Sequence, residues 1–366
     1  MNLFENIRIK DTILKNSFFR AATWEGLADE DGHLTDELVD VYRELAKGGV
    51  AAIITGYARI LEEEKANENM MGIYSDIFIK EYINLTDMIH DYGAKIFLQV
   101  AYGGSMSKSN LESTKVFAPS NVMNERSGNN PTACTVEDMN YIKEAFVQAA
   151  IRSEKSGFDG IELHAGHGYF LSQWLSPKYN IREDEYGGNI ENRSRFIGEI
   201  IQAIRDNVSD EFLILVKQNS EDFHDAGLSS EDSIKASRIF EIAGADAIEV
   251  TGGDLSIREV INNNLGASRG KLVRRRKNES YFKDHAIKLS ESIGIEVILT
   301  GGNRHLATVE KISDNSNIKF YGLCRPLICE PNLINKWYSG ETGATKCVSC
   351  NGCFSQPEKQ CIINIS

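Results

Sequence analysis

The stretch that decides the fold is residues 158–196, FDGIELHAGHGYFLSQWLSPKYNIREDEYGGNIENRSRF. It opens with a short apolar run, residues 161–163, which is typical of a buried strand. The run stops at His164, because the glycine-rich sequence after it does not continue a strand. His164, His167 and Tyr169 therefore stand just past a strand end, which in a parallel α/β sheet is where ligands bind.

The second half of this stretch predicts a turn followed by a helix. Gly187 and Gly188 allow backbone angles that are closed to other residues, so we expect a tight turn there. A helix is predicted to open directly after it, at residues 190–193. We expect Arg193 and Glu191 to hold the long loop in place by charge-assisted hydrogen bonds.

Strand and helix patterns alternate along the whole chain. The predicted strands are residues 17–22, 50–55, 95–100, 157–163, 212–217, 247–251, 296–300 and 318–323. The predicted helices are residues 37–47, 79–92, 135–156, 192–207, 230–243, 281–292 and 305–312. This alternation predicts an α/β protein, a parallel sheet closed into a single (β/α)₈ TIM barrel. An open doubly wound sheet is the alternative, but Ala21-Ala22-Thr23-Trp24 stands where its glycine fingerprint belongs.

Several other strand ends carry residues suited to ligand binding. They are Thr23, Gly56, Gln99, Lys217, the pair Gly252-Gly253, the pair Gly301-Gly302, and Cys324-Arg325. The two glycine pairs and the arginine come from three consecutive loops. Exposed backbone N–H groups in such turns face anions, so these loops predict a phosphate cradle.

Composition and charge narrow the class of protein. The net charge of −13 argues against binding to nucleic acid or to an anionic membrane. No apolar run reaches the length of a membrane span, and the N-terminus lacks a signal-peptide core, so a cytoplasmic location is expected. Seven cysteines, three of them clustered near the end, do not form the disulfide framework of a secreted protein. We expect a barrel domain at 1–338 and a cysteine-rich tail at 339–366, acting on a small molecule, with a homo-oligomer left open.

Residues 164–177, HAGHGYFLSQWLSP, followed by residues 185–196, EYGGNIENRSRF, resemble the old yellow enzyme family of FMN-dependent reductases. The resemblance implies FMN as cofactor, NAD(P)H as reductant, and reduction of activated C=C bonds in α,β-unsaturated carbonyl compounds. It also implies that Lys217 lies near the part of the flavin that becomes negative on reduction. The positions that it implies for FMN binding are Ala21, Ala22, Thr23, Gly56, Gln99, Lys217, Gly253, Gly301, Gly302, Cys324 and Arg325.

The resemblance further assigns the histidines and the tyrosine. His164 and His167 would grip the oxygen of the acceptor, with Trp24 also in the substrate site, and Tyr169 would act as the general acid. Taken alone, the two histidines also suit a metal site or core packing, but no third metal ligand is evident nearby. The other functions left open are an iron–sulfur/FMN dehydrogenase, a dienoyl-CoA-reductase-like enzyme, a non-catalytic flavin-binding protein and a metal-dependent barrel hydrolase.

Two further segments stand out in the sequence. Cys347, Cys350, Cys353 and Cys361 resemble the [4Fe–4S] ligand run of the dienoyl-CoA reductase and trimethylamine dehydrogenase branch. The last spacing is short for that branch and no second flavin domain follows in the sequence, so we expect no metal or cluster, with zinc left open. The basic run 269–277, RGKLVRRRK, is expected to be a solvated loop, the alternative being contact with the phosphates of NAD(P)H or a coenzyme A thioester.

Overall fold

The computed structural model describes residues 2–108, 115–270, 278–356 and 360–364. Its centre is a ring of eight parallel strands, in chain order β1 Phe18–Arg20, β2 Ala52–Ile54, β3 Lys95–Ala101, β4 Gly160–Ala165, β5 Leu213–Asn219, β6 Ala247–Thr251, β7 Glu296–Thr300 and β8 Phe320–Leu323. Each strand pairs with the next, and β8 pairs with β1 through Tyr321 and Phe18. The ring is therefore closed, and the predicted (β/α)₈ barrel is confirmed.

Helices connect the strands around the outside of this barrel. They are α1 Asp36–Lys47, α2 Ile79–Asp91, α3 Val136–Lys155, α4 Phe170–Leu175, α5 Ile190–Arg205, α6 Ser230–Ile242, α7 Arg258–Asn262, α8 Lys283–Ser290, α9 Leu306–Asp314, α10 Arg325–Cys329 and α11 Leu333–Tyr338. The seven predicted helices correspond to α1, α2, α3, α5, α6, α8 and α9. The other four have five or six residues each, too few for a helical period to stand out in the sequence.

An N-terminal hairpin, also missed in the sequence, packs into one end of the barrel. Strands Ile7–Ile9 and Thr12–Leu14 pair antiparallel. The side chains of Ile9 and Leu14 join inward-facing residues such as Phe19 in an apolar cluster. Three-residue strands show too little alternation to be recognised. The hairpin fills this end of the barrel with apolar side chains. A ligand site is therefore confined to the opposite end, where the carboxyl ends of the strands lie.

The turn and helix after the histidine loop form as predicted. Gly188 has φ 85°, and Asn189 caps α5 by accepting from the Asn192 N–H at 2.9 Å. The Arg193 guanidinium donates to the Leu175 carbonyl at 2.8 Å and to the Gly188 carbonyl at 2.5 Å. Arg193 therefore clamps the loop, as expected, whereas Glu191 is exposed to solvent. The division into a barrel at 1–338 and a tail at 339–366 stays a prediction.

Candidate active site

The three residues singled out in the sequence lie together at the carboxyl end of β4. His164 is near the end of the strand, His167 is in the following turn, and Tyr169 precedes the first residue of α4. The His164 ring centroid is 5.0 Å from that of His167 and 5.0 Å from that of Tyr169. Two imidazoles and a phenol therefore share one small volume at the end of the barrel that the hairpin leaves free.

The backbone of this turn is held in an unusual conformation by neighbouring strand ends. His167 and Gly168 both have positive φ, 62° and 82°. A side chain at Gly168 would place its Cβ 2.3 Å from the Asp254 carboxylate, so the chain passes too close there for any residue but glycine. The His167 N–H donates to Asn219 Oδ1 at 3.1 Å, and its Nε2 lies 2.7 Å from Thr251 Oγ1. The ends of β5 and β6 thus fix the position of the second imidazole.

Both imidazoles are neutral at physiological pH. Burial lowers the pKa of His164 well below its ordinary value, and the nearby His167 and Lys217 lower it further. Burial, then Lys217, lowers the pKa of His167 to about 3. Within the described part of the chain, His164 Nδ1 is buried without a hydrogen-bond partner. A buried ring nitrogen in that state indicates a site that is completed by a ligand.

Two residues that the sequence analysis missed, Tyr57 and Asn67, complete this group. The Tyr57 ring stacks on His164 with centroids 6.1 Å apart and an interplanar angle of 13°. The Asn67 amide donates to both the Tyr57 and the Tyr169 hydroxyl oxygens. Trp24, predicted to contact substrate, packs partly buried against the same aromatic cluster. No pattern in the sequence places residues 57–67 beside Tyr169, since the contact is made by a loop of irregular structure.

A layer of buried polar and ionisable side chains lies on β3 to β6 beside the histidines. Lys217 Nζ is 2.7 Å from Glu249 Oε1, and Gln99 Nε2 donates to Glu162 Oε2 at 2.5 Å. Lys217 and Gln99 were predicted, but the two carboxylates were missed. Each glutamate lies two residues before an active-site side chain, His164 or Thr251, on the same face of its strand. A charged residue inside an apolar strand was the signal that could have found them.

The two carboxyl groups in this layer, Glu162 and Glu249, differ in protonation state. Burial, and next the Glu249 charge, raise the pKa of Glu162 well above its ordinary value. Burial acts to raise the pKa of Glu249 too, but Lys217 outweighs it and the pKa of Glu249 is lowered. Glu249 is therefore an anion paired with the Lys217 cation, while Glu162 is protonated and hydrogen-bonds to Glu249.

The predicted residues at the ends of β1 and β2 pack closely on one another. Thr23 Oγ1 donates to the Ala21 carbonyl at 3.2 Å and lies 3.0 Å from Cys324 Sγ, which joins the ends of β1 and β8. Ala22 packs against the apolar cluster inside the barrel. The Gly56 N–H donates to a tyrosine hydroxyl of α1 at 3.0 Å, so this donor is already engaged within the protein.

A small cavity lies where the phosphate cradle was predicted. Four of the predicted residues line it: Gly301, Gly302, Cys324 and Arg325. Gly253 does not, because it packs against residues 265–266 instead. The sequence analysis missed Arg304, a second guanidinium at the cavity, although it lies only two residues after Gly302. Two arginines and two glycines with positive φ give this cavity the character of an anion site.

The cysteine tail packs against this cradle. Asn351 accepts a hydrogen bond from the Arg325 guanidinium at 2.5 Å, and the Cys347 carbonyl accepts one from Arg304. A second small cavity is lined by all four predicted cysteines: Cys347, Cys350, Cys353 and Cys361. Cys329, which was not predicted, packs with Cys347 and Cys361. Among the residues that the structure describes, no three His, Cys, Asp or Glu side chains are arranged to hold a metal ion.

The basic run is described only at its start, and residues 271–277 lie outside the described residues. Arg269 is not a solvated side chain, as that run was expected to be. Its guanidinium lies over the rings of Phe223, Tyr281 and Phe282, 4.8–5.2 Å from their centroids. Its carbonyl accepts a hydrogen bond from Arg325 at 3.0 Å. The expectation of a solvated loop is therefore wrong at Arg269, because three aromatic faces hold the cation.

Comparisons with known proteins agree with this fold. The model of the NADH:flavin oxidoreductase / NADH oxidase family matches residues 2–342. The chain is 31% identical over 372 residues to an NADH oxidase from Thermoanaerobacter brockii, covering 99% of this chain and 56% of that protein. It is 27% identical over 374 residues to a 4,4'-dithiodibutanoate disulfide reductase from Rhodococcus erythropolis, covering 96% and 92% respectively. The solved structure of an old yellow enzyme homologue from Zymomonas mobilis superposes with a TM-score of 0.78 at 21% identity, covering 94% of each chain.

The chain is thus a member of a flavin oxidoreductase class built on a TIM barrel. It belongs to the NADH:flavin oxidoreductase / NADH oxidase family, whose cofactor is FMN and whose reductant is NAD(P)H. The predicted resemblance to old yellow enzymes is confirmed. The chain spans only about half the length of the NADH oxidase relative. Within the described ranges, no helix is long and apolar enough to cross a bilayer.

Proposed function

We propose that this protein is an FMN-dependent NAD(P)H oxidoreductase that reduces activated C=C bonds of α,β-unsaturated carbonyl compounds. The observation that carries the proposal is the convergence of two neutral imidazoles and a phenol at the end of β4. Neutral imidazoles donate hydrogen bonds to a carbonyl oxygen, and a phenol is a suitable donor of the proton that completes the reduction.

The residues present fit FMN. The cavity at Gly301, Gly302, Arg304 and Arg325 suits a phosphate, because guanidinium groups and exposed backbone N–H groups bind such anions well. The buried His164 Nδ1 has no hydrogen-bond partner among the described residues. An unpaired buried nitrogen of this kind is expected where a bound molecule supplies the missing partner. We assign Gln99, Lys217 and the ends of β1 and β2 to the ring of the cofactor.

The side chains divide the chemistry between orientation and proton transfer. When bound, FMN would supply the hydride chemistry that links NAD(P)H to the β-carbon of the acceptor. His164 and His167 hold the carbonyl oxygen of the acceptor and stabilise the negative charge that develops on it. Tyr169 then gives its phenolic proton to the α-carbon. The aromatic cluster of Tyr57, Trp24 and Tyr169 keeps water away from this step.

A second candidate is an iron–sulfur/FMN dehydrogenase. One observation favours it: the four tail cysteines line a single cavity next to Arg325. The spacing from Cys353 to Cys361, however, is short for the iron–sulfur branch that this run of cysteines resembles. We therefore prefer the enzyme without a cluster.

The proposal is tested by anaerobic rapid mixing of the purified protein. The cofactor released on denaturation should be FMN, NADH or NADPH should bleach its absorbance, and an enone such as cyclohexenone should restore it. Absence of flavin after reconstitution would refute the cofactor assignment. Reoxidation by quinones or oxygen but not by any enone would refute the substrate class and leave the broader flavin oxidoreductase.

A further inference from the structure

Asn67 contacts the hydroxyl groups of both Tyr57 and Tyr169. Its side-chain Nδ2 donates to the Tyr169 oxygen at 3.2 Å and also to the Tyr57 oxygen. A carboxamide nitrogen carries two N–H donors, one for each phenol, and neither needs to be shared. Asn67 is 8% exposed, so these donors compete little with water.

This donation leaves the proton of Tyr169 free for chemistry. A phenol oxygen has one proton and lone pairs that accept. Because the Asn67 amide occupies a lone pair, the Tyr169 O–H is turned away from the amide. The Tyr169 ring centroid lies 5.0 Å from that of His164, where the acceptor oxygen is proposed to be held.

Tyr57 also accepts a hydrogen bond from the Asn67 amide, but it is a poor acid. Burial, and next the neighbouring Tyr169, raise the pKa of Tyr57 well above its ordinary value. Tyr57 therefore stays a neutral phenol stacked on His164, and it packs the site without giving up its proton. Of the two phenols on Asn67, Tyr169 is the one to which the proposed function assigns the role of acid.

The segment that carries Asn67 is fixed on both sides. Before it, the buried Glu64 carboxylate accepts from the Gly103 N–H at 3.0 Å. After it, the Glu68 carbonyl accepts from the Trp24 indole N–H at 3.0 Å. Asn67 thus reaches Tyr169 from a loop tied to the ends of β1 and β3, which is the arrangement expected of a residue that sets geometry.

We propose that Asn67 is a positioning residue for Tyr169, an inference that rests on the proposed ene reduction. In the protonation step the O–H bond of Tyr169 breaks, and the electron pair of the carbanion or enolate forms the new C–H bond at the α-carbon. The negative charge passes to the Tyr169 oxygen. Asn67 continues to donate to that oxygen, so it orients the proton before transfer and stabilises the phenolate after it.

The test compares Asn67→Leu and Asn67→Asp with the wild-type holoenzyme. Leucine removes the donor at similar volume, and aspartate replaces it with an acceptor that draws the phenol proton toward itself. Both variants should slow reoxidation by an enone about tenfold, the effect of losing one such hydrogen bond. Reoxidation by a quinone, which needs no proton on carbon, should change less than about threefold. In the Tyr169→Phe background neither substitution should slow the enone further.

An infrared measurement tests the same hydrogen bond without catalytic turnover. With ¹³C-labelled tyrosine, the C–O stretching band that disappears in Tyr169→Phe should shift in both Asn67 variants. An unshifted band, an equal loss with quinone and enone, or an undiminished loss in the Tyr169→Phe background would overturn the inference. If the wild type reduces no enone, the proposed function fails instead, and the infrared band still decides whether Asn67 donates to Tyr169.

Discussion

The positive charge of Lys217 lies beside two buried carboxyl groups. Its Nζ is 2.7 Å from the Glu249 carboxylate, and the protonated Glu162 lies against the same carboxylate. One cation, one anion and one neutral acid leave this layer with no net charge. The positive potential that the resemblance implies for Lys217 is therefore partly cancelled, and Glu249 sets how much of it remains.

This pairing predicts opposite effects of two substitutions on the reduction potential of the bound FMN. Lys217→Met leaves an uncompensated anion and should lower the potential, whereas Glu249→Gln frees the cation and should raise it. Each shift should reach about 30 mV or more, which is about 1.4 kcal/mol for a two-electron couple. Spectroelectrochemical titration measures both. Shifts of the same sign, or none, would show that the layer does not face the cofactor.

Among the structural elements, the loop between β2 and β3 contributes site residues that the sequence analysis did not predict. It brings Tyr57 and Asn67 to the histidines, and the buried Glu64 anchors it to Gly103. Burial raises the pKa of Glu64 to about 7 from the ordinary 4.5. The folded protein thus binds this proton more tightly than the unfolded chain, so the associated stability is present below about pH 4.5 and is lost as pH rises through about 7.

The prediction is a pH-dependent difference between wild type and Glu64→Gln. Glutamine keeps an acceptor for the Gly103 N–H but cannot ionise. Between about pH 5 and pH 8 the wild type should lose about 2–3 kcal/mol of unfolding free energy relative to the variant, because a proton held with a pKa of about 7 is released mainly over about two pH units of this range, at about 1.36 kcal/mol per pH unit. Denaturant unfolding at both pH values measures it. Parallel pH profiles for the two proteins would contradict the buried, titrating Glu64.

The same loop shows where sequence reasoning reaches its limit. The eight strands and the His164/His167/Tyr169 group could be predicted because period, glycine spacing and chain proximity are local properties. Asn67 and Tyr169 are 102 residues apart, and irregular loop structure brings them together. Glu249 faces Lys217 from the neighbouring strand through barrel register, which a single strand pattern does not contain.

At the scale of the whole molecule, the tail and the barrel meet at the phosphate cradle. Arg325 lines the cradle cavity and the cysteine cavity alike, and it hydrogen-bonds to Asn351 of the tail. The state of the tail cysteines is therefore expected to affect how firmly the cofactor is held.

Iron analysis tests the nature of that tail. We expect anaerobically purified protein to contain close to no iron or acid-labile sulfide. Cys350→Ser, which changes the one exposed cysteine of the four, should then leave the flavin content unchanged. About four iron atoms per chain, lost in that variant, would instead establish the cluster and the dehydrogenase alternative.

The most direct test of the central claim is the oxidative half-reaction of Tyr169→Phe, followed by stopped flow with an enone and with a quinone. If Tyr169 supplies the proton to the α-carbon, the variant should still be reduced by NAD(P)H and should still bind phenols at His164 and His167. Its reoxidation by the enone should be slower by a factor of about 10² or more, the typical contribution of a general acid, while the quinone reaction stays close to the wild-type rate. Equal slowing with both acceptors would contradict the account and make Tyr169 a binding or packing residue.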